Sequence, residues 1–248
     1  MNDLQLMKSK CFFIYMSLAI FMLCSCEPEP TAEMVIQKSL EKAHGGKALW
    51  ETPKLLIYEK TTTFYDKEGV VESIKKQTFH NTLQPTFTSK VKWIEDDVEK
   101  RIVFDGKQTF VFNDGYQVTD NEKVEAAHKE ILGAQYVLWQ PYKLFTDEAS
   151  LTYEGVVRLE DYTDAYSIKV TYPNSNTIWW YYFDIDTWLL KENLIQHSET
   201  TYSQIVNIAQ EENTGLRLHQ DRKSFKIDVG KDQKYLRAEY HYNILELK

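Results

Sequence analysis

Thiols are nearly absent from this chain. Its three cysteines, Cys11, Cys24 and Cys26, all fall in the first 26 of 248 residues. Beyond them a disulfide-stapled fold, a reactive-cysteine enzyme and a thiolate metal centre are excluded. Glycine (9) and proline (6) are scarce, so this is not a low-complexity chain. Basic residues are outnumbered, 29 Lys and Arg against 37 Asp and Glu, giving a net charge of -8. Phosphate backbones are bound by clustered Lys and Arg, and with no basic stripe nucleic acid is not an expected partner. There is no repeat of fixed period, no Gly-x-Ser-x-Gly elbow and no glycine-rich phosphate loop. None of the six histidines forms an i, i+4 pair of the helical zinc kind. Asp184 and Asp186 open like a calcium loop, but Trp188 holds the next ligand position and no loop glycine follows, so a turn is expected there. The carboxylate pairs Asp96-Asp97, Glu211-Glu212 and Asp161 with Asp164 fall where solvated turns are expected. No metal, cofactor or enzymatic activity is expected.

Aromatic residues are plentiful, at 14% of the chain with 16 tyrosines. They are densest in residues 167–195, which read as three antiparallel strands with turns at 173–176 and 184–187. Four-residue turns would pair Tyr172 with Thr177, Val170 with Trp179, Ile168 with Tyr181, and Phe183 with Trp188. Side chains alternate along a strand. One face then carries Ile168, Val170, Trp179, Tyr181, Phe183, Trp188 and Leu190 and is nearly all apolar, so it is expected inside. The other carries Lys169, Thr171, Trp180, Tyr182, Leu189 and Lys191 and is expected outside; a slip of one residue would invert both.

The same strand-and-turn pattern runs from residue 55 to 119 and resumes from 151 to 245, about a dozen strands with connections of hairpin length. Such spacing predicts an up-and-down antiparallel sheet. Two helices interrupt it. Residues 31–44 place Ala32, Val35, Ile36, Leu40 and Ala43 at helical spacing, with Thr31 as N-cap and Gly45-Gly46 as the stop. Residues 121–145 carry Val124, Ala127, Ile131, Ala134 and Leu138 at the same spacing, with Pro141 as a breaker. The stretch 136–145 is apolar nearly all round and predicts burial on more than one side.

The first 25 residues read as a signal segment, with Lys8 and Lys10 before an apolar run of 13 residues, Cys11–Leu23, too short for a membrane span. Leu23-Cys24-Ser25-Cys26 resembles the bacterial lipobox, which implies cleavage after Ser25 and acylation of Cys26. More than one acyl chain on that residue would anchor the protein stably. The expected organisation is a signal over 1–25, a lipidated cysteine with a Pro/Glu tether over 26–32, and one domain over 33–248.

A front helix ending in Gly-Gly, a strand meander, a mid-chain helical insertion and the hairpin Tyr182-Phe183-Asp184…Thr187 resemble the outer-membrane lipoprotein carriers of the Lol type and envelope lipoproteins sharing their fold. The resemblance implies a mainly β, α+β fold: a half-open antiparallel β-barrel with the N-terminal helix and the insertion covering its concave face. It also implies an apolar cavity for acyl chains of a lipid or lipoprotein, and a place in the cell envelope, anchored to the outer membrane through Cys26. The expected cavity residues are Trp139, Tyr142, Trp179, Tyr181, Phe183, Trp188 and Leu190. The alternative from a different class is an interaction module with a filled core. It would bind an envelope protein or a glycan through outward Trp180 and Tyr182.

Overall fold

The computed structural model describes residues 29–145, 148–173 and 175–248; the expected signal, Cys26 and Asn174 of the first hairpin turn lie outside the described residues. Helix α1, Ala32–Ala43, begins where the Thr31 hydroxyl accepts the Met34 amide at 3.2 Å, satisfying one of the amides a helix start leaves open. Gly45 and Gly46, both at positive φ, end it. A Cβ at Gly45 would lie 2.6 Å from the Gly215 carbonyl oxygen, so close approach as well as conformation demands glycine. The short helix α2, Lys47–Glu51, then buries Trp50, whose indole N–H donates to the His44 carbonyl at 2.8 Å.

Strands β1 (Leu55–Tyr65), β2 (Val71–Thr82), β3 (Thr88–Glu95), β4 (Val98–Phe104), β5 (Thr109–Asn113) and β6 (Tyr116–Val118) form the first meander. Helix α3, Asn121–Leu138, follows, with a 3-10 turn at Tyr142–Phe145. Strands β7 (Ser150–Arg158), β8 (Asp164–Thr171), β9 (Ile178–Asp184), β10 (Leu190–Gln196), β11 (Thr201–Gln210), β12 (His219–Asp228) and β13 (Gln233–Leu247) form the second. All thirteen belong to one open antiparallel sheet ordered β6-β5-β4-β3-β2-β1-β13-β12-β11-β10-β9-β8-β7. The first and last strands therefore pair at its centre, and its edges, β6 and β7, are consecutive along the chain. The segment joining those edges is α3, so a helix stands where a closed barrel would have strand pairing.

Turn chemistry sets much of the register. Asp96 and Asp97 both take positive φ, and Glu95 pairs with Val98 across them, a two-residue hairpin of the kind that suits twisted strands. Asp114-Gly115 does the same between Asn113 and Tyr116. The expected pairs Ile168–Tyr181 and Val170–Trp179 are present. The next hairpin differs: Phe183 pairs with Leu190, not with Trp188. The Asp184 carboxylate accepts the amides of Asp186 and Thr187 at 2.8 and 2.7 Å, Trp188 donates its amide to the Asp184 carbonyl, and Trp188 turns to φ +62°. The turn is longer than four residues, and Trp188 leaves the strand.

Two buried clusters line the concave face. One joins Leu56, Tyr58, Phe79, Val91, Ile102 and Tyr242 of the sheet to Trp50 and to Ala127, Ile131 and Leu138 of α3. The other joins Val35 and Ile36 of α1 and Leu144 to Ile168, Val170, Tyr181, Phe183 and Leu190. The loop before β12 corrects a further expectation. Glu211 is buried, not solvated, and its carboxylate accepts the amides of Asn213, Thr214 and Leu218 at 2.8, 2.9 and 3.0 Å. That loop carries Leu216, whose carbonyl accepts His44 Nδ1–H at 2.9 Å.

His44 and His219 stand buried beside it, and among the described residues His44 Nε2 and both His219 ring nitrogens have no hydrogen-bond partner. Burial lowers the His44 pKa from 6.5 to about 4, and lowers that of His219 well below 6.5, with the Arg222 charge adding to the effect. Below pH 6.5 the unfolded chain binds protons that the native state refuses, so stability must fall as pH falls. For His44 alone the loss is on the order of 3 kcal/mol by pH 4, at 1.36 kcal/mol per unit. Burial raises the Glu192 pKa and gives a slope of opposite sign, confined to the range just above 4.5. The melting temperature is expected to drop between pH 7.5 and 5, and to drop less in His219→Leu. Equal drops in both proteins would remove His219 from the account.

Candidate ligand cavity

Helix α3 is the wall around which the site is built. Asp120 caps it by accepting the amides of Glu122 and Lys123 at 3.0 and 3.3 Å, and it ends at Trp139, two residues ahead of Pro141. One face, Ala127, Ile131 and Leu138, packs on the first half of the sheet. Its C-terminal end reaches the second half. The Tyr136 hydroxyl bonds the Tyr172 hydroxyl and lies 3.3 Å from that of Tyr181, and Gln140 donates to the Tyr181 hydroxyl at 3.0 Å. The helix thus bridges both arms of the sheet without filling the space beneath it.

Beside α3, a cavity of about 760 Å³ opens between the helix, α2 and the connection from β2 to β3. Trp50, Leu83, Phe87, Leu132, Val137, Trp139, Tyr142 and Trp179 supply its apolar wall. Trp50 holds the aromatic part together, edge-on to Trp139 at 5.1 Å and stacked on Tyr142 at 6.0 Å. The polar groups at its lining are few: Glu51, Gln84, Gln135 and Lys143. The Tyr142 hydroxyl donates to Glu51 at 3.1 Å, and burial, helped by that carboxylate, raises its pKa. Size and lining match the 300–1,000 Å³, mostly apolar pockets that take small ligands. Among the described residues no three His, Cys, Asp or Glu side chains come together to hold a metal.

Of the seven residues expected to line a cavity, Trp139, Tyr142 and Trp179 do so. Tyr181, Phe183 and Leu190 lie instead in the closed core under α1 and the 3-10 turn. Trp188, displaced by its turn, stacks on Tyr166 at 5.1 Å with the Lys38 ammonium 5.2 Å from its ring centre, and it takes no part in the lining. On the outer face, Trp180 and Tyr182 are half-buried, and the Trp180 indole N–H donates to Glu154 at 2.8 Å. Burial, then the charges of Glu192 and Glu154, pushes the Tyr182 pKa up to about 12.

Sequence reasoning missed Trp50, Leu132, Val137 and Gly133. Gly133 had a signal: a lone glycine inside a helical pattern, where it costs ~1 kcal/mol against alanine. Its φ is not positive and a Cβ there would meet nothing within 4 Å. Neither backbone conformation nor close packing explains it. It faces open space, lining both this cavity and a smaller one on the other side of α3.

No family model matches the chain, and no curated protein matches it in sequence. Solved structures do resemble it. A DUF1329 family protein from Desulfovibrio piger superposes with a TM-score of 0.56 at 8% identity, over 88% of this chain and 92% of that one. A LolA superfamily protein from Nitrosomonas europaea superposes with a TM-score of 0.54 at 10% identity, over 89% and 94%. At such identities the likeness is one of architecture, and the open half-barrel spanned by a helical insertion is a LolA-type fold.

Proposed function

We propose that this protein is a non-catalytic, lipid-anchored protein of the bacterial cell envelope that holds a hydrophobic ligand, an acyl chain of a lipid or lipoprotein, between its sheet and α3. The observation that carries the reading is the aromatic cavity of about 760 Å³, bounded by a helix that leaves one side of itself unpacked. Leu132, on that side, is 37% exposed in the middle of the helix. The fold is that of a LolA superfamily protein, which supports a role in handling lipid or lipoprotein. Cys26, behind its lipobox-like Leu23-Cys24-Ser25, supports acylation and an outer-membrane address. In this reading residues 1–25 are the signal, 26–32 the tether and 33–248 the binding domain. On the hairpin the Trp180 indole is already bonded to Glu154 and Tyr182 is half-buried, which counts against the interaction-module alternative.

Burying about 10 methylenes at ~0.8 kcal/mol each gives ample gross driving force before ordering costs. Residues 29–248, expressed into the envelope without the anchor, are expected to carry adducts in native mass spectrometry that release fatty acid or phospholipid on denaturation. Val137→Asp, which sets a charge in the wall from a half-buried position, is expected to abolish adducts while the sheet's circular dichroism persists. A bare mass for the unsubstituted domain, still bare after incubation with envelope lipids, would refute the reading.

Gly133 separates packing from binding. Gly133→Ala is expected to raise stability by ~1 kcal/mol, because it meets no neighbour and improves helix propensity. Gly133→Trp is expected to keep the fold and reduce ligand loading by filling the gap. A Gly133→Trp protein that loads as well as the parent would show that the ligand lies elsewhere.

A further inference from the structure

The central strands place positive charge on the concave face with little to balance it. Arg222 of β12 is 3% exposed. Its Nε donates to Asn207 Oδ1 at 2.8 Å and its Nη2 to Asn193 Oδ1 at 3.3 Å, both neutral amide oxygens. Lys60 of β1 is half-buried, its ammonium 5.0 Å from the Tyr240 ring centre and 5.9 Å from that of Tyr242. Among the described residues, neither Arg222 nor Lys60 forms an ion pair within 4.0 Å. The carboxylate facing them from α3 is Glu130, and it is taken: Lys75 donates to it at 2.9 Å and Gln77 at 3.0 Å. Burial works to raise the Glu130 pKa, but Lys75, Gln77 and the more distant Lys60 outweigh it, so it stays ionised. His219, next to Arg222, is held neutral. Three cations therefore face one anion inside a protein whose overall charge is -8. A buried charge is costly unless paired, and two amide oxygens are a partial remedy.

Two of these cations, Arg222 and Lys60, look into the smaller cavity behind α3, of about 180 Å³, where they meet Asn193, Tyr240 and the already paired Glu130. That volume is below the ~300 Å³ at the low end for whole small ligands, so it suits a head group and not a chain. Gly133, Val137 and Trp179 line both this cavity and the large aromatic one. A chamber of mixed lining, with two cations and one carboxylate among apolar side chains, thus meets the aromatic one at the point where α3 lacks a side chain.

We propose that the ligand is a single-chain amphiphile with an anionic head: the oxyanion, carboxylate or phosphate monoester, lies against Arg222 and Lys60, and the chain passes Gly133 and Trp179 into the aromatic cavity. This rests on the hydrophobic-ligand reading and gives it a polarity. The guanidinium fork matches an oxyanion in shape, and charge-assisted hydrogen bonds are the strong ones. A pair worth about 1.5–3 kcal/mol corresponds to a preference of roughly 10- to 100-fold for anion over neutral head.

The test uses residues 29–248, freed of lipid, with tryptophan emission as the readout and three ligands of equal chain length: palmitate, hexadecyl phosphate and methyl palmitate. At low salt at least one anion is expected to bind about 10-fold tighter than the ester or better, and which one does so identifies the head. Arg222→Gln is expected to bring the anions down to the ester's affinity while the ester itself is little changed. Lys60→Gln is expected to move the same way by a smaller factor, and it carries the test if Arg222→Gln does not fold. Equal affinity for acid and ester in the unsubstituted domain would overturn the proposal and leave the hydrophobic-ligand reading intact. A preference untouched by both substitutions would overturn it too. Inorganic phosphate alone displacing the anions at equal concentration would show an ion site with no amphiphile. Failure of all three ligands to bind would instead refute the reading on which the proposal rests.

Discussion

The pairing of β1 with β13, from Leu56 opposite Leu247 to Phe64 opposite Ala238, governs the rest of the architecture. It joins the chain's first and last strands at the centre of the sheet, so each meander grows outward from there. The two free edges are then successive in sequence, and whatever links them must cross the opening. Eighteen residues of α3 extend about 27 Å at 1.5 Å per residue, enough to cross. A hairpin between β6 and β7 would have closed the barrel and filled its interior with side chains. Placing a helix there leaves the barrel half-open and its concave face as a site.

Apolar surface is then divided in a way that makes a cavity almost unavoidable. Helix α1 seals the arm made of β8 to β10, where Tyr181, Phe183 and Leu190 are fully buried. Helix α3 seals the other arm over Phe79, Val91 and Ile102. Neither helix is wide enough to cover the middle strands, and those strands change character accordingly. Toward the middle of the sheet the concave face carries Asn193 of β10, Asn207 of β11 and Arg222 and Ser224 of β12, hydrogen-bonding groups set beside the apolar Ile205 and Tyr242.

Local chemistry was the legible part. The Thr31 cap, the Gly45-Gly46 stop, the Asp96-Asp97 and Asp114-Gly115 hairpins and the pairing of Ile168 with Tyr181 all follow from the residues involved and their neighbours. The turn at Asp184 was misjudged because its carboxylate, by binding two amides, supports a longer turn than four residues. Glu211 was misjudged because a carboxylate that collects three backbone amides is satisfied without water. The cavity was legible only in part for a different reason. Alternation tells which face of a strand is inside, but not what covers that face. Tyr181 and Trp179 are two residues apart on one strand and share a face, yet the first lies under α1 and the second at the gap beside α3. Lys60 and Arg222 are separated by more than half the chain, and the β1–β13 and β13–β12 pairings together bring them to one chamber.

The large cavity also has an energetic argument of its own. It opens to solvent, so it holds water whenever no ligand is bound. Water needs two to four polar partners at each position, and an aromatic wall of Trp50, Trp139, Tyr142 and Trp179 gives it few. Water that cannot complete its hydrogen bonds is easily displaced by an apolar group, with a gain in affinity. Behind α3 the lining is more mixed, and Arg222, Lys60 and Asn193 give water or an anion partners there. The two chambers thus favour opposite ends of one molecule, and the side chain missing at Gly133 keeps them in communication.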